Sequence, residues 1–387
     1  MVSTRMSSGV VDPGQRVGAL PGRPDVMTIE GRIVPVVGTA RIYVCGITPY
    51  DVTHLGHAAT FVWADVLASV MASTGVQTNV CRNVTDVDDV LIDAARARGA
   101  YYDELSVTQE ASFEHSMRSL QVATPAVQPR ARHYVESVQQ LAQALLERGA
   151  AYEREGTVWF RGEAVAEAAS IPREEARRLC AAYGDDPDDP AKDAPFDVPV
   201  WRSSSDDDPA WPSPWGWGRP GWHAECAAMA LAVHGSSVDV LVGGEDLAFP
   251  HHAYQAAMVT AVTQVAPFAR SSLHVGEVRI AGEKMAKSTG NLVLVDDLLE
   301  STTPAAIRLL LLSRAYDESW DFAPAQLQDA EAHLQRLRAA ATRPSDAGGE
   351  TVMAALRDGL DVLTALAVAE RDGGEAARRA IAVLRLG

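Results

Sequence analysis

The sequence predicts an α/β nucleotide-binding fold: a parallel sheet laid down in two halves, divided by an insertion and followed by a helical tail. Three observations carry that expectation. Residues 41–46 (RIYVCG) read as a buried strand, β-branched and aromatic, closed by a glycine. Residues 57–75 (HAATFVWADVLASVMASTG) read as a helix and residues 76–84 (VQTNVCRNV) as a second strand. Strand, helix and strand in about 45 residues make a βαβ unit, which implies parallel pairing and a right-handed crossover.

The remaining elements follow in chain order. Residues 1–25 are rich in Gly, Pro and Ser and are expected to be loosely ordered. Residues 26–37 (VMTIEGRIVPVV) suit a short hairpin. In the first helix Ala59, Val62, Val66 and Val70 form an apolar stripe, and Gly75 can stop it. Residues 88–150 look helical and 151–215 mixed and broken, with acidic, Pro-rich loops at 184–195 and 203–214. A second α/β stretch comes next: a helix at 226–235, a strand at 237–244 and a helix at 251–265. Residues 273–291 begin as a strand and end as a loop. From about 300 the chain is Ala- and Leu-rich and helical. The expected divisions are a flexible extension at 1–27, first half of the nucleotide-binding domain at 28–125, insertion at 126–215, second half at 216–300 and helical domain at 301–387.

Composition narrows the function. The chain carries 51 acidic and 34 basic residues, a net charge of −17. That balance disfavours a large nucleic-acid footprint, because each phosphate contact wants Lys or Arg. The four cysteines, Cys45, Cys81, Cys180 and Cys226, show no disulfide framework. The first residues show no apolar core of an export signal, so reduced thiols in the cytoplasm are expected. No apolar run is read as reaching the roughly 18 residues a membrane helix needs, so no membrane partner is expected.

Two short strings carry chemistry. In HLGH, His54 and His57 sit three apart at the start of the first helix. A helix N-terminus attracts anions, and imidazoles there can donate to a phosphate as charge develops. Gly56 between them removes a side chain, so a flat base can approach. Two surface or capping histidines would give the same string. Asp51, just before them, is a candidate general base or a loop residue capping the helix. In KMAKS, Lys284 and Lys287 can clamp a triphosphate; a lone pair of this spacing is more often a solvated face.

Together these strings resemble the HIGH and KMSKS signatures of class I aminoacyl-tRNA synthetases. The resemblance implies a Rossmann-like parallel sheet split by an insertion, with a C-terminal helical domain. It also implies ATP binding, with Mg²⁺ on the phosphates, and attack of a carboxylate on the α-phosphate. His54, His57, Lys284 and Lys287 are then the catalytic residues. Ala286 stands where the family commonly has Ser.

Within that class YVCGITPYD, NVTDVDD, GRPGWHAEC and FPHH resemble cysteinyl-tRNA synthetase and the cysteine ligases of mycothiol biosynthesis. This implies one Zn²⁺ per chain held by Cys45, Cys226 and His251, with an open position for the sulfur of L-cysteine. Zinc strongly prefers thiolate to hydroxyl, whereas an apolar slot would separate serine only about 10–200-fold. Without the resemblance Cys45 and Cys226 would read as small buried hydrophobes, as Cys81 and Cys180 still do. Carried over by motif, Gly46, Ile47, Thr48, Thr60, Asn83, Val84, Thr85 and Trp222 should line the cysteinyl and nucleotide pocket. Gly244, Glu245 and Asp246 should hold the ribose and adenine side. Gly56 and the Val278 backbone should meet adenine.

Some positions depart from the pattern. Synthetases have HHENE, whose last Glu is a fourth metal ligand; this chain has HHAYQ, with Gln255 there. That favours the three-ligand ligase, although ligases commonly have Glu at Ala253. The stretch CGITPYDVTHLGHAAT also resembles the ligase, and the chain ends at Gly387, leaving little room for an anticodon-binding domain. The expected partners are therefore L-cysteine, ATP and the amine of glucosaminyl-inositol, with tRNA disfavoured and a monomer or weak homodimer. Residues 182–187 read AYGDDP where ligases commonly carry ERGGDP. With Ala286, Ala253 and Glu245 (commonly Ser), this suggests a divergent member. A cysteine ligase for another amine and a cysteinyl-tRNA synthetase remain alternatives.

Overall fold

The computed structural model describes residues 26–205, 208–285 and 290–387. The extension at 1–25 lies outside the described residues, as do Ala286 and Lys287 of the lysine loop.

Strands β1 (Thr28–Ile29) and β2 (Arg32–Ile33) form the expected hairpin. Next come β3 (Ala40–Ile47), helix α1 (Leu55–Ser73) and β4 (Thr78–Val84), with β3 and β4 parallel. Gly75, at φ +84°, follows the α1 cap as expected. The predicted stripe on α1 understates its burial, since thirteen of its residues, from Leu55 to Met71, are buried. Contrary to expectation, α1 is long and apolar enough to cross a membrane, but protein covers most of it. A helix covered on nearly all sides has no need of a polar face.

Helices α2 (Asp89–Arg98), α3 (Tyr102–Ser119) and α4 (Val135–Glu147) fill the expected helical stretch. The region read as broken holds β5 (Ala151–Arg154), β6 (Thr157–Phe160), α5 (Glu163–Ala168), α6 (Arg173–Ala182), β7 (Val198–Ser203), β8 (Trp211–Ser213) and β9 (Gly216–Pro220). These five strands pair as an antiparallel sheet in the order β5-β6-β7-β9-β8. The sheet takes in β9, beyond the boundary expected at 215.

Helix α7 (Trp222–His234), strand β10 (Val238–Gly244), helix α8 (Ala253–Thr263) and strand β11 (Ala269–Val275) rebuild the nucleotide fold. All four strands of the main sheet are parallel, in the order β11-β10-β3-β4. The chain runs outward from β3 to β4 on one side and from β10 to β11 on the other. The crevice beyond the carboxyl ends of β3 and β10 is therefore the switch point, where such sheets bind ligands. Period-2 alternation splits β3 between two cores. Ile42 and Val44 pack with α1 and the C-terminal helices, whereas Tyr43 and Cys45 pack with α7, α8 and the insertion.

The chain continues through β12 (Val278–Ile280), β13 (Glu283–Lys284), α9 (Val295–Leu299), α10 (Pro304–Leu312) and β14 (Trp320–Asp321). Helices α11 (Pro324–Ala341), α12 (Gly349–Arg357), α13 (Val362–Asp372) and α14 (Gly374–Leu384) complete it. A small sheet, β13-β12-β14, carries Lys284. Arg308 of α10 is fully buried. Its guanidinium donates to Asp65 of α1 at 2.8 Å, and at 3.0 Å to the carbonyls of Leu120 and Leu384.

Candidate active site and metal centre

Three residues far apart in sequence converge below the switch point. Cys45 comes from β3, Cys226 from α7 and His251 from the turn before α8. One ligand atom of each lies within 4.8 Å of the others, and all three are buried. The fold brings them together through close backbone contact. A Cβ at Gly46 would sit 1.7 Å from the Asn83 carbonyl oxygen, so glycine lets β3 and β4 close where their register shifts. The Gly46 N–H donates to Asn83 Oδ1 at 2.9 Å, and Asn83 Nδ2 donates to Cys226 Sγ at 3.2 Å.

His251 Nε2 lies 3.2 Å from Cys226 Sγ, and its Nδ1 lies 2.9 Å from Nδ1 of His223. Trp222 stacks on the His251 ring at 4.0 Å. Gln255, fully buried, accepts from the Cys45 thiol at 3.7 Å and donates to the Cys226 carbonyl at 3.4 Å. Burial, then the neighbouring Cys45, raises the Cys226 thiol well above its ordinary pKa. Burial, then His223 and His252, pushes His251 well below its own. Two thiols and a neutral imidazole form a donor set that suits a thiophilic cation such as Zn²⁺, whose binding would displace the thiol protons. All four cysteines are unpaired, and Cys81 and Cys180 lie buried outside this cluster.

Above the cluster opens a cavity of about 590 Å³, a size suited to a small-molecule site. It is lined by Gly46, Ile47, Thr48, Thr60, Asn83 and Thr85, and by Trp222, Gly244, Asp246 and Val278. His54, Gly56, His57 and Lys284 line it too. The two imidazoles stack at 3.8 Å. The space freed by Gly56 is taken by His54, whose ring a Cβ there would meet at 3.0–3.1 Å. Burial and nearby charge keep both rings neutral at pH 7. His54 is lowered to about 3 by burial, His57 and Lys284, and His57 to about 4 by burial and Lys284. His54 Nδ1 is buried with no hydrogen-bond partner among the described residues.

Lys284 is held rather than loose. Its Nζ lies 2.5 Å from Asp246 and 3.4 Å from Glu277. Burial opposes its charge most strongly, but Asp246, Tyr183 and Glu277 together outweigh burial and raise its pKa above the ordinary value. Val84 and Glu245, expected at the pocket, do not line the cavity, and neither does Asp51, the candidate base. Val84 is buried with its N–H given to the Pro129 carbonyl at 2.9 Å. Glu245 turns toward β12 and β14, accepting from Ser319 and from the Glu277 N–H at 3.3 Å. Asp51 pairs with Arg98 at 3.5 Å.

The structure also adds residues that the sequence reading passed over. His223 braces the candidate metal ligands through His251, and its three-residue spacing from Cys226 on one helix face was a usable signal. Tyr183, at the end of α6 in the AYGDDP segment, lies near-parallel to Trp222 at 6.2 Å, with the Lys284 ammonium over its ring at 5.8 Å. No spacing rule links the insertion to the pocket. Asp88 faces the cavity from the start of α2.

Comparison with known proteins agrees with this geometry. The sequence profile of the tRNA synthetases class I (C) catalytic domain matches residues 34–332. The L-cysteine:1D-myo-inositol 2-amino-2-deoxy-alpha-D-glucopyranoside ligase of Acidothermus cellulolyticus is 41% identical, over 90% of this chain and 89% of that protein. The ligase of the same name from Mycobacterium ulcerans is 40% identical over 92% and 90%. Among solved structures, Mycobacterium tuberculosis methionyl-tRNA synthetase bound by methionyl-adenylate superposes with a TM-score of 0.62 at 15% identity, over 90% of this chain and 82% of that one. Agrobacterium radiobacter LeuRS, in complex with tRNA and LeuAMS, gives 0.60 at 11% identity, over 90% and 83%. The structures establish a shared fold, and the ligases share sequence along nearly their whole length. The chain thus belongs to the L-cysteine:1D-myo-inositol 2-amino-2-deoxy-alpha-D-glucopyranoside ligase family, built on the class I tRNA synthetase catalytic domain.

Proposed function

We propose that this protein is an ATP-dependent ligase that activates L-cysteine as cysteinyl-AMP and transfers the cysteinyl group to the amine of glucosaminyl-inositol, a step of mycothiol biosynthesis. The observation that carries the reading is the Cys45, Cys226 and His251 cluster at the floor of the cavity that also holds His54, His57 and Lys284. A bound Zn²⁺, held by Cys45, Cys226 and His251, would supply a Lewis acid that favours a substrate thiolate over the hydroxyl of serine. His223 orients the His251 ring for that role, as the outer partners of metal-binding histidines do.

The reaction then has two displacements. The carboxylate oxygen of cysteine attacks the α-phosphorus of ATP, and pyrophosphate leaves with the electrons of the broken P–O bond. The amine nitrogen next attacks the carbonyl carbon of the adenylate, AMP leaves, and the nitrogen gives up a proton. Neutral His54 and His57 offer N–H donors to the phosphates in the first step, and Lys284 and Lys287 balance the developing charge. Lys284 must leave Asp246 and Glu277 to do so. In this reading Asp246 and Gly244 would face the ribose and Val278 the adenine; Thr48, Thr60, Asn83, Thr85 and Trp222 would enclose the amino acid. A cytoplasmic setting, where thiols stay reduced, fits the four unpaired cysteines.

The test is pyrophosphate exchange with purified protein. Cysteine-dependent exchange, poor use of serine, and amide formation with glucosaminyl-inositol but no charging of tRNA are expected. Charging of tRNA would favour the synthetase. Adenylation without use of glucosaminyl-inositol would favour a different amine.

A further inference from the structure

The segment 85–89 (TDVDD) places three carboxylates within four residues, and each has a different environment. Asp86 is fully buried and paired with Arg132, whose backbone N–H also donates to it at 2.9 Å. Asp89 is paired with Arg219 at 2.7 Å and Arg202 at 3.3 Å. Asp88 lines the cavity, is only 9% exposed, and accepts from the Thr48 hydroxyl at 3.1 Å. With the Thr48 proton on Asp88, the Thr85 hydroxyl donates to Thr48 Oγ1 at 2.7 Å, with the Ile47 carbonyl at 3.2 Å as its alternative acceptor.

No lysine, arginine or histidine among the described residues pairs with Asp88. The charges that act on it make this worse. Burial and then the Asp89 carboxylate raise its pKa to about 6, although the Thr48 hydroxyl and the backbone N–H groups of Val90 and Asp89, in the first turn of α2, lower it. Glu225 on α7 and Tyr50 from the loop after β3 also face it, and neither brings a cation. At pH 7 and above, Asp88 is an anion deep in a wall and turned toward a cavity. Such an anion is costly without a positive partner. Its acidic neighbours have their arginines, whereas Asp88 has only a hydroxyl and the α2 amides, which leaves room for a cation brought by a ligand. A divalent metal ion would want several free oxygens, but Asp86 and Asp89 are already engaged and the two threonine hydroxyls bond each other. A phosphate would be repelled. A primary ammonium fits, needing one carboxylate and a hydroxyl.

We propose that Asp88 is the ammonium seat of this pocket: its carboxylate, braced by Thr48, receives the primary ammonium of a substrate and so fixes how that substrate faces the reacting centre. The proposal rests on the ligase reading for its ligands, since both the amino acid and the acceptor bring such a group.

The experiment uses the full-length, metal-loaded protein as wild type, Asp88→Asn and Asp88→Glu. Asn caps a helix as well as Asp, so α2 keeps its start, and thermal melts check it. Binding of cysteine and of 3-mercaptopropionate, which has the thiol and carboxylate but no amine, is measured by calorimetry. Exchange kinetics and amide formation are measured alongside. Loss of a charged hydrogen bond should weaken one substrate by about tenfold or more, with Asp88→Glu recovering part of it. If the seat holds the amino acid, wild type prefers cysteine to 3-mercaptopropionate and Asp88→Asn loses that preference. If it holds the acceptor, cysteine binding and exchange are unchanged and the KM for the amine rises. A folded Asp88→Asn protein with unaltered cysteine preference and unaltered amine KM overturns the proposal. A wild type without exchange, but with an Asp88-dependent preference for cysteine, overturns the ligase reading and leaves the seat standing.

Discussion

At position 226 a thiol is surrounded by an amide donor, an imidazole and a second thiol, with no water-facing side. Such a thiol is inert without a metal and a strong ligand with one. Cys226→Ser should therefore strip bound zinc and cut cysteine-dependent exchange at least about a hundredfold; elemental analysis and exchange assays check both. His223 acts one shell out. His223→Ala should leave the fold intact but weaken metal retention about 10–100-fold, read by chelator competition, and unchanged retention would remove its bracing role. Only part of this was legible beforehand. Cys45 and Cys226 are linked by no spacing and were found through family resemblance alone. Asp88 sat in a quoted motif, yet only three-dimensional packing reveals which of its carboxylates lacks an arginine.

Among the elements, the β3–α1–β4 unit was the most readable, because local apolar pattern and fold agree there. The insertion was the least. Its strands are three to six residues long and include WPS and GWGRP. Pro and Gly there erase the alternation that marks a strand, and pairing partners lie far along the chain. A very tight junction lies between β3 and β4 at Gly46. Gly46→Ala should lower stability by more than about 2 kcal/mol and disturb the metal cluster together, since Cys45 precedes it and Asn83 bonds Cys226. A wild-type melting curve with normal zinc content would contradict the close approach. The element carrying Lys284 has a different sensitivity. Lys284→Ala should cut adenylation while leaving zinc content unchanged, because β13 lies apart from the metal ligands.

Across the whole molecule, buried imidazoles should make the fold acid-labile. His54, His57 and His274 are lowered to about 3, 4 and 4, in each case chiefly by burial. Folded, they stay neutral as pH falls below 6.5, whereas the unfolded chain takes up protons, so stability is lost between about pH 6.5 and 4. Asp88, raised to about 6, works the other way as pH falls from 6 to 4, as do Glu225 and Asp185, both raised by burial, but His223, His234, His251, His252 and His333 are lowered as well, so the imidazoles outnumber the carboxyls. Melts with chelator present, so that metal release adds nothing, should show a clearly lower Tm at pH 5 than at pH 7.5; an equal or higher Tm would refute this. Arg308 has a practical consequence for anyone trimming this protein to a minimal catalytic fragment. Cutting away α14 would remove one of the three acceptors of the Arg308 guanidinium and open its pair with Asp65 to water at the middle of α1, the helix that starts beside His54 and His57. A shortened version would then lose its chemistry before its secondary structure, and fusions are better placed away from Gly387.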